Sequence, residues 1–185
     1  MIAAFGAAFV MAGCLGTSSK TESGFSPRVV SFGQAVPKGG GRHKLGKPYF
    51  IKGRRYVPQA DQHYNRVGIA SWYGKLFHGR MTANGEVYDM GALTAAHPTL
   101  PLPSYVHVTN LSNGRDVIVR VNDRGPYAHD RIIDMSREAS RVLGFNRQGT
   151  ARVRVRYLGP APIDGNDAYE RRFIAKRYNV IRAGG

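Results

Sequence analysis

Between Val67 and Gly159 the chain runs as short apolar stretches broken by turn residues, a texture of strands rather than of long helices. Val67–Tyr73 (VGIASWY) reads as a strand, and Leu93–His97 as a short second one. Tyr105–Thr109 and Val117–Val121 alternate apolar and polar positions and flank Asn113-Gly114, a dipeptide that accepts the positive φ of a hairpin turn. Arg131–Met135 is a further strand, leading into a helix at about Ser136–Leu143 with Gly144 placed to close it. Arg152–Leu158 (RVRVRYL) alternates strictly, sending Val153, Val155 and Tyr157 inward and three arginines outward. Six or seven short strands with one helix predict a mainly all-β domain, a small closed barrel.

The flanks differ in texture. Residues 15–41 are rich in Ser, Thr, Gly and Pro and end in Gly39-Gly40-Gly41, which reads as a flexible tether. Gly46–Gln59 is aromatic and basic around a Gly-centred turn, a small hairpin or an extended arm packed on the core. The last 26 residues, 160–185, are too few for a second domain and read as a basic tail. At the other end, residues 1–13 carry no charge and are mostly apolar. A bilayer-spanning helix takes about 20 residues, so this run has the length of a signal-peptide apolar region instead. It ends in Met11-Ala12-Gly13-Cys14, which resembles the lipobox of bacterial lipoproteins, although no Lys or Arg precedes it. That resemblance implies a signal peptide over 1–13 and a lipid on Cys14. It also makes residues 14–66 a lipid-anchored basic leader. Leu15, rather than the Asp that retains lipoproteins at the inner membrane, points to the periplasmic face of the outer membrane. With one cysteine, no internal disulfide is expected.

The net charge of +15 is uneven. Residues 15–66 hold ten basic and two acidic side chains, residues 67–159 twelve and seven, and residues 160–185 five and three, giving +8, +5 and +2. Such a balance suits a polyanion. For an exported protein without a groove-reading helix or an aromatic RNA-binding motif, nucleic acid is excluded, and lipid head groups or anionic envelope polymers remain.

The candidate chemistry is carboxylate chemistry. The barrel segment holds only Glu86, Asp89, Asp116, Asp123, Asp130, Asp134 and Glu138 as acids. Four clusters stand out: Gly68–Gly74 (GIASWYG); Thr82–Glu86 (TANGE) with Tyr88-Asp89; Thr94–Pro101 (TAAHPTLP); and Asn122–Pro126 (NDRGP) with Arg131–Ser136 (RIIDMS). In this order and spacing the chain resembles the RlpA (rare lipoprotein A) family of septal-ring proteins, over about Val67–Gly159. The resemblance implies a six-stranded double-psi β-barrel with one or two short helices. It implies an endolytic peptidoglycan lytic transglycosylase acting on denuded glycan strands, with cell-division proteins as partners and no cofactor or metal. Many relatives carry a C-terminal SPOR domain that binds denuded septal glycan; nothing in residues 160–185 resembles it, which leaves septal targeting without a module in this sequence.

Cleavage by such an enzyme needs a carboxyl group that protonates the glycosidic oxygen and then takes a proton from the C6 hydroxyl of the N-acetylmuramic acid unit. Asp134 is the first choice, because it ends the apolar Ile132-Ile133 segment and resembles the acid of related barrels; its plainer reading is a cap on the helix that follows. Asp123, Glu86 and His97 form its supporting group. Asp123 alternatively bonds its own turn, Glu86 is alternatively a solvated turn residue, and His97 is alternatively a structural hydrogen-bonder before Pro98. Trp72, Tyr73, Tyr88, Asp89 and Arg124 are the candidate substrate contacts, with at least one of the three rings expected in the core. The other reading is a non-catalytic, expansin-like glycan-binding module using the same cleft. The sequence sets no oligomeric state.

Overall fold

The computed structural model describes residues 26–128 and 130–183, with side chains as far as Arg177, so Cys14 and the signal-peptide segment lie outside the described residues. A hairpin of β1 (Tyr49–Ile51) and β2 (Arg54–Tyr56) stands before the barrel. The barrel comprises β3 (Asn65–Tyr73), β4 (Thr94–Ala96), β5 (Ser104–Asn110), β6 (Asp116–Asp123), β7 (Arg131–Ser136) and β8 (Thr150–Pro160). Its order is β3-β7-β4-β6-β5-β8, closed on itself. The β3–β7 and β4–β6 pairs are parallel and the rest antiparallel. This is the mainly β, six-stranded double-psi barrel that the sequence led one to expect.

The core follows from the alternation. Val106, Val108, Val117, Val119, Val121, Val153 and Val155 are all fully buried inside the barrel, and Arg152, Arg154 and Arg156 are exposed. Both parallel pairs contain a bulge. Register passes from Ile69↔Arg131 to Ala70↔Ile133, and from Ala95↔Val121 to Ala96↔Asp123, leaving Ile132 and Asn122 as the extra residues. Gly68 accommodates the first bulge: a Cβ there would stand 2.6 Å from Ile132 Cγ2. The second bulge matters more. One extra residue reverses the in–out alternation, so Asp123 leaves the inward series of Val117, Val119 and Val121 and joins Ala96 on the other face.

Helix α1 (Arg137–Val142) starts at Ser136, whose Oγ accepts the Ala139 N–H at 3.1 Å. Gly144, at φ 75°, supplies the left-handed residue that ends it. Ser136 therefore does the capping that the sequence left open to Asp134.

Two expectations about the flanks need correction. From Ser26 onward the leader is no free tether. Val29 and Val30 donate to the Gly79 carbonyl, Arg42 N–H donates to the Asn84 carbonyl, and Lys44 and Leu102 exchange a pair of backbone bonds. One of its glycines permits close approach to the barrel. Gly41 shows this: a Cβ would lie 2.7 Å from both Asn84 Nδ2 and Glu86 Cγ. Gly41→Ala is expected to lower stability by about 1–3 kcal/mol through overpacking, read in urea melts; an unchanged midpoint would mean the leader does not dock. The C-terminal segment is likewise no plain tail, because α2 (Ala168–Ala183) packs on β5 and β6. Tyr169 packs on Tyr105, Phe173 on His107, and Arg177 Nε donates to Asp116 Oδ1 at 2.7 Å.

Candidate active site

Register alone assembles the site. Ser71 on β3 pairs with Asp134 on β7, Asp134 with Ala96 on β4, and Ala96 with Asp123 on β6. The four residues form one row across four strands, so the two carboxylates flank Ala96 on one face, their backbones about 10 Å apart. Ala96, the small residue between them, is itself buried.

Each carboxylate is half-buried and differently held. Asp123 Oδ1 accepts the backbone N–H groups of Ala83 and Arg124, both at 2.8 Å. Burial pushes its pKa up to about 6, against the pull of those two donors and of the nearby Arg124 and Lys44 charges. Asp134 Oδ1 accepts from Ser71 Oγ at 2.5 Å, and Ser71 Oγ in turn accepts from Arg131 Nη1 at 2.7 Å. Burial also raises Asp134, while Ser71 and Arg131, whose Nε stands 3.6 Å away, pull it back. Each carboxylate keeps Oδ2 free of protein hydrogen bonds among the described residues. Ser71 and Arg131 are the residues that sequence reasoning missed. Their signal was present, since Ser71 shares its strand face with Tyr73 and Arg131 opens the strand that ends in Asp134.

Tyr73 borders this row. It pairs with Ser136 one step along the same face, and its ring stacks on Tyr88 at 4.2 Å. Burial lifts its hydroxyl far above the usual value, and Tyr88 and the Asp123 and Asp134 charges add to the effect. That hydroxyl faces Thr94 but makes no well-formed hydrogen bond. Tyr88 is almost wholly buried, its hydroxyl spent on the Tyr73 carbonyl, so it backs Tyr73 rather than meeting a ligand.

Four other candidates have protein partners that the sequence did not disclose. Glu86 is not a free turn acid: it is buried, its two oxygens taken by Arg120, Asn122 Nδ2 (2.9 Å) and Asn84 Nδ2 (2.9 Å). Burial alone would raise its pKa, but these donors outweigh it and hold the carboxyl below the usual range. His97 reaches no carboxylate by hydrogen bond. Its Nδ1 accepts the N–H groups of Thr99 and Leu100, which leaves the proton on Nε2, 2.9 Å from Tyr64 Oη. Burial, with Arg124 adding to it, lowers its pKa to about 3, and the two bonds to Nδ1 brace the turn after β4. Trp72 belongs to the interior series of Ala70 and Met135 and donates Nε1–H to the Asn146 carbonyl. Arg124 spends its guanidinium on the carbonyls of His97, Leu100 and Leu45, clamping that turn to the leader. Asp89 is partly exposed, its Oδ1 bound to the Gly91 N–H and 3.7 Å from His78 Nδ1.

Residues 65–155 match the family described as lytic transglycolase. Over 127 residues the chain is 55% identical to the endolytic peptidoglycan transglycosylase RlpA of Pseudomonas aeruginosa (strain UCBPP-PA14), covering 68% of this chain and 37% of that protein. It is 53% identical over 124 residues to the protein of that name from Neisseria meningitidis serogroup A (strain Z2491), covering 65% of this chain and 52% of the relative. A third, from Rickettsia bellii (strain RML369-C), is 50% identical over 121 residues, 64% of this chain and 53% of the relative. The chain thus spans about a third to a half of the length of the curated relatives it matches. With its closed six-stranded barrel and this identity across it, the chain belongs to the RlpA family.

Proposed function

We propose that this protein is an endolytic peptidoglycan lytic transglycosylase, with Asp123 as its acid–base group and Asp134 as the supporting carboxylate. The observation that carries the reading is the row Ser71–Asp134–Ala96–Asp123, which places two differently tuned carboxylates on either side of a small residue. The order of the two acids is the reverse of that expected from sequence. Asp134 has a hydroxyl donor and a guanidinium that favour its ionised form. Asp123, pushed to about 6, is the better acid near neutral pH.

In this mechanism Asp123 gives its proton to the glycosidic oxygen as the bond to the anomeric carbon of N-acetylmuramic acid breaks. The resulting carboxylate then takes the proton of that sugar's C6 hydroxyl as O6 bonds to the same carbon. A 1,6-anhydro end forms, Asp123 regains its proton and no water is consumed. Asp134, with Ser71 and Arg131 beside it to favour the carboxylate, lies on the same face to stabilise the oxocarbenium-like transition state.

Incubating the full chain with peptide-free glycan strands is expected to yield anhydro-ended fragments by mass spectrometry. Fragments with reducing ends would indicate a hydrolase, and intact strands that co-sediment with the protein a binding module. The lipobox-like Met11–Cys14 supports attachment through a lipid on Cys14 at the periplasmic face of the outer membrane. A palmitate analogue should label the chain but not Cys14→Ser; label persisting in that variant would end the idea. Cell-division proteins are the partners that family membership suggests.

A further inference from the structure

The hairpin of β1 and β2 spends one face on the rest of the protein and turns the other to solvent. On the inner face Tyr49 pairs with Tyr56, their rings stack at 5.2 Å, and both meet Tyr127 edge-on, at 6.2 and 5.6 Å. Tyr49 Oη donates to the Pro98 carbonyl at 2.7 Å, and Gln59 N–H donates to that of Thr99, which fastens the hairpin to the turn after β4. Alternation sends the next pair, Phe50↔Arg55, to the opposite face. Phe50 is 67% exposed there, and Val57, which alternation returns to that side, is 42% exposed.

Cations rim this face. Lys47, Lys52 and Arg55 are exposed. Between Glu22 and Asp61 the chain holds eight Lys and Arg and no acid. Lys52 and Gly53 make the turn, both at positive φ, 49° and 77°. Gly or Asn takes such a position at least cost, so a lysine there sets a charge at the tip against backbone preference. An exposed ring among cations suits a membrane surface, where the ring enters the head-group boundary and the cations meet phosphates. A protein partner fits less well. The face of two three-residue strands measures roughly 10 Å by 10 Å, against about 800 Å² on each side of a stable protein interface. A second copy of this chain would bring like charges together.

We propose that the outer face of this hairpin docks on an anionic lipid surface, with Phe50 and Val57 entering the head-group region and Lys47, Lys52 and Arg55 meeting lipid phosphates. The folded chain makes this contact itself, separately from a lipid on Cys14.

The test uses the full chain carrying Cys14→Ser, which removes the single native thiol, with Val57→Cys added and labelled with an environment-sensitive fluorophore. Ser112→Cys is the comparison site, in the turn between β5 and β6, at the end of β6 remote from Tyr127. On vesicles containing phosphatidylglycerol the label at 57 should shift to the blue and be quenched by nitroxide lipids; the label at 112 should do neither. Lys52→Glu with Arg55→Glu, salt at about 1 M, or pure phosphatidylcholine should each weaken the response about tenfold or more. Phe50→Ser should abolish the quenching and leave anhydro-fragment release from soluble glycan strands unchanged. Every substituted hairpin side chain is exposed, so these variants should melt like the parent. No shift on the anionic vesicles, or equal shifts at 57 and 112, would overturn the proposal. So would a response to peptide-free glycan strands or lost cleavage in Phe50→Ser, which would assign the face to glycan. A shift that grows with protein concentration alone would assign it to a second copy instead. The fluorescence readout is independent of glycan cleavage, so failure here and failure of the proposed activity remain distinguishable.

Discussion

Asp123→Asn is expected to stay folded and to lose about 10²–10⁴-fold in the rate of anhydro-fragment release, the span attributable to general acid–base catalysis. An asparagine Oδ1 can still accept from the Ala83 and Arg124 N–H groups, so the turn before Gly125 keeps its bonds. What it lacks is the exchangeable proton. The pH profile of the unsubstituted protein should report the same group. Activity relative to free enzyme should fall as pH rises through about 6, where Asp123 gives up its proton. Stability should move in a linked way. The folded pKa lies above the ordinary value of about 3.9, so the folded state holds this proton more tightly than the unfolded chain does. The ionised carboxyl therefore costs stability, beginning as pH rises past about 4 and complete above about 6. Asp123→Asn should gain on the order of 2 kcal/mol at pH 7–8 and nothing below pH 4, a stability gain at the expense of function. If Asp123→Asn cleaves at the normal rate while Asp134→Asn is inactive and melts normally, the order of the two acids reverts to that read from sequence.

Glu86→Ala is expected to cost about 3–5 kcal/mol, the loss typical of removing one partner from a buried ion pair. Arg120 would be left a buried cation, and Asn84 and Asn122 would each lose the acceptor for Nδ2. Because Glu86 is held below the usual carboxyl range, its contribution is fully present above the unfolded value of about 4.3 and disappears as pH falls through its lower folded value. Urea melts at pH 7 should thus separate variant and parent widely, and melts in strong acid should bring them together. A Glu86→Ala protein that melts like the parent yet no longer cleaves glycan would place Glu86 in catalysis, as the family resemblance implies.

Much of the fold is legible in the chain because burial on one face writes itself as alternation. Val153 and Val155 between exposed arginines, and the Tyr105–Thr109 and Val117–Val121 pair around Asn113-Gly114, are local patterns read without knowing what they pack against. The same holds for α1, whose cap and closing glycine are adjacent in sequence. The leader and α2 were misread because their partners are distant: Gly41 meets Asn84 and Glu86, and Phe173 meets His107, contacts that composition does not encode.

The sequence by itself determined the barrel strands, the family clusters and the short list of acids from which Asp123 and Asp134 come. Only the tertiary structure decided what surrounds each acid. A bulge at Asn122 turns Asp123 toward Ala96 and Asp134, whereas Glu86, just as prominent in its motif, meets Arg120 from a strand 34 residues away. The reason is physical: a carboxyl group's proton affinity is set by the burial, donors and charges within a few ångströms of it, and those neighbours are supplied by strands that register brings together rather than by adjacent residues.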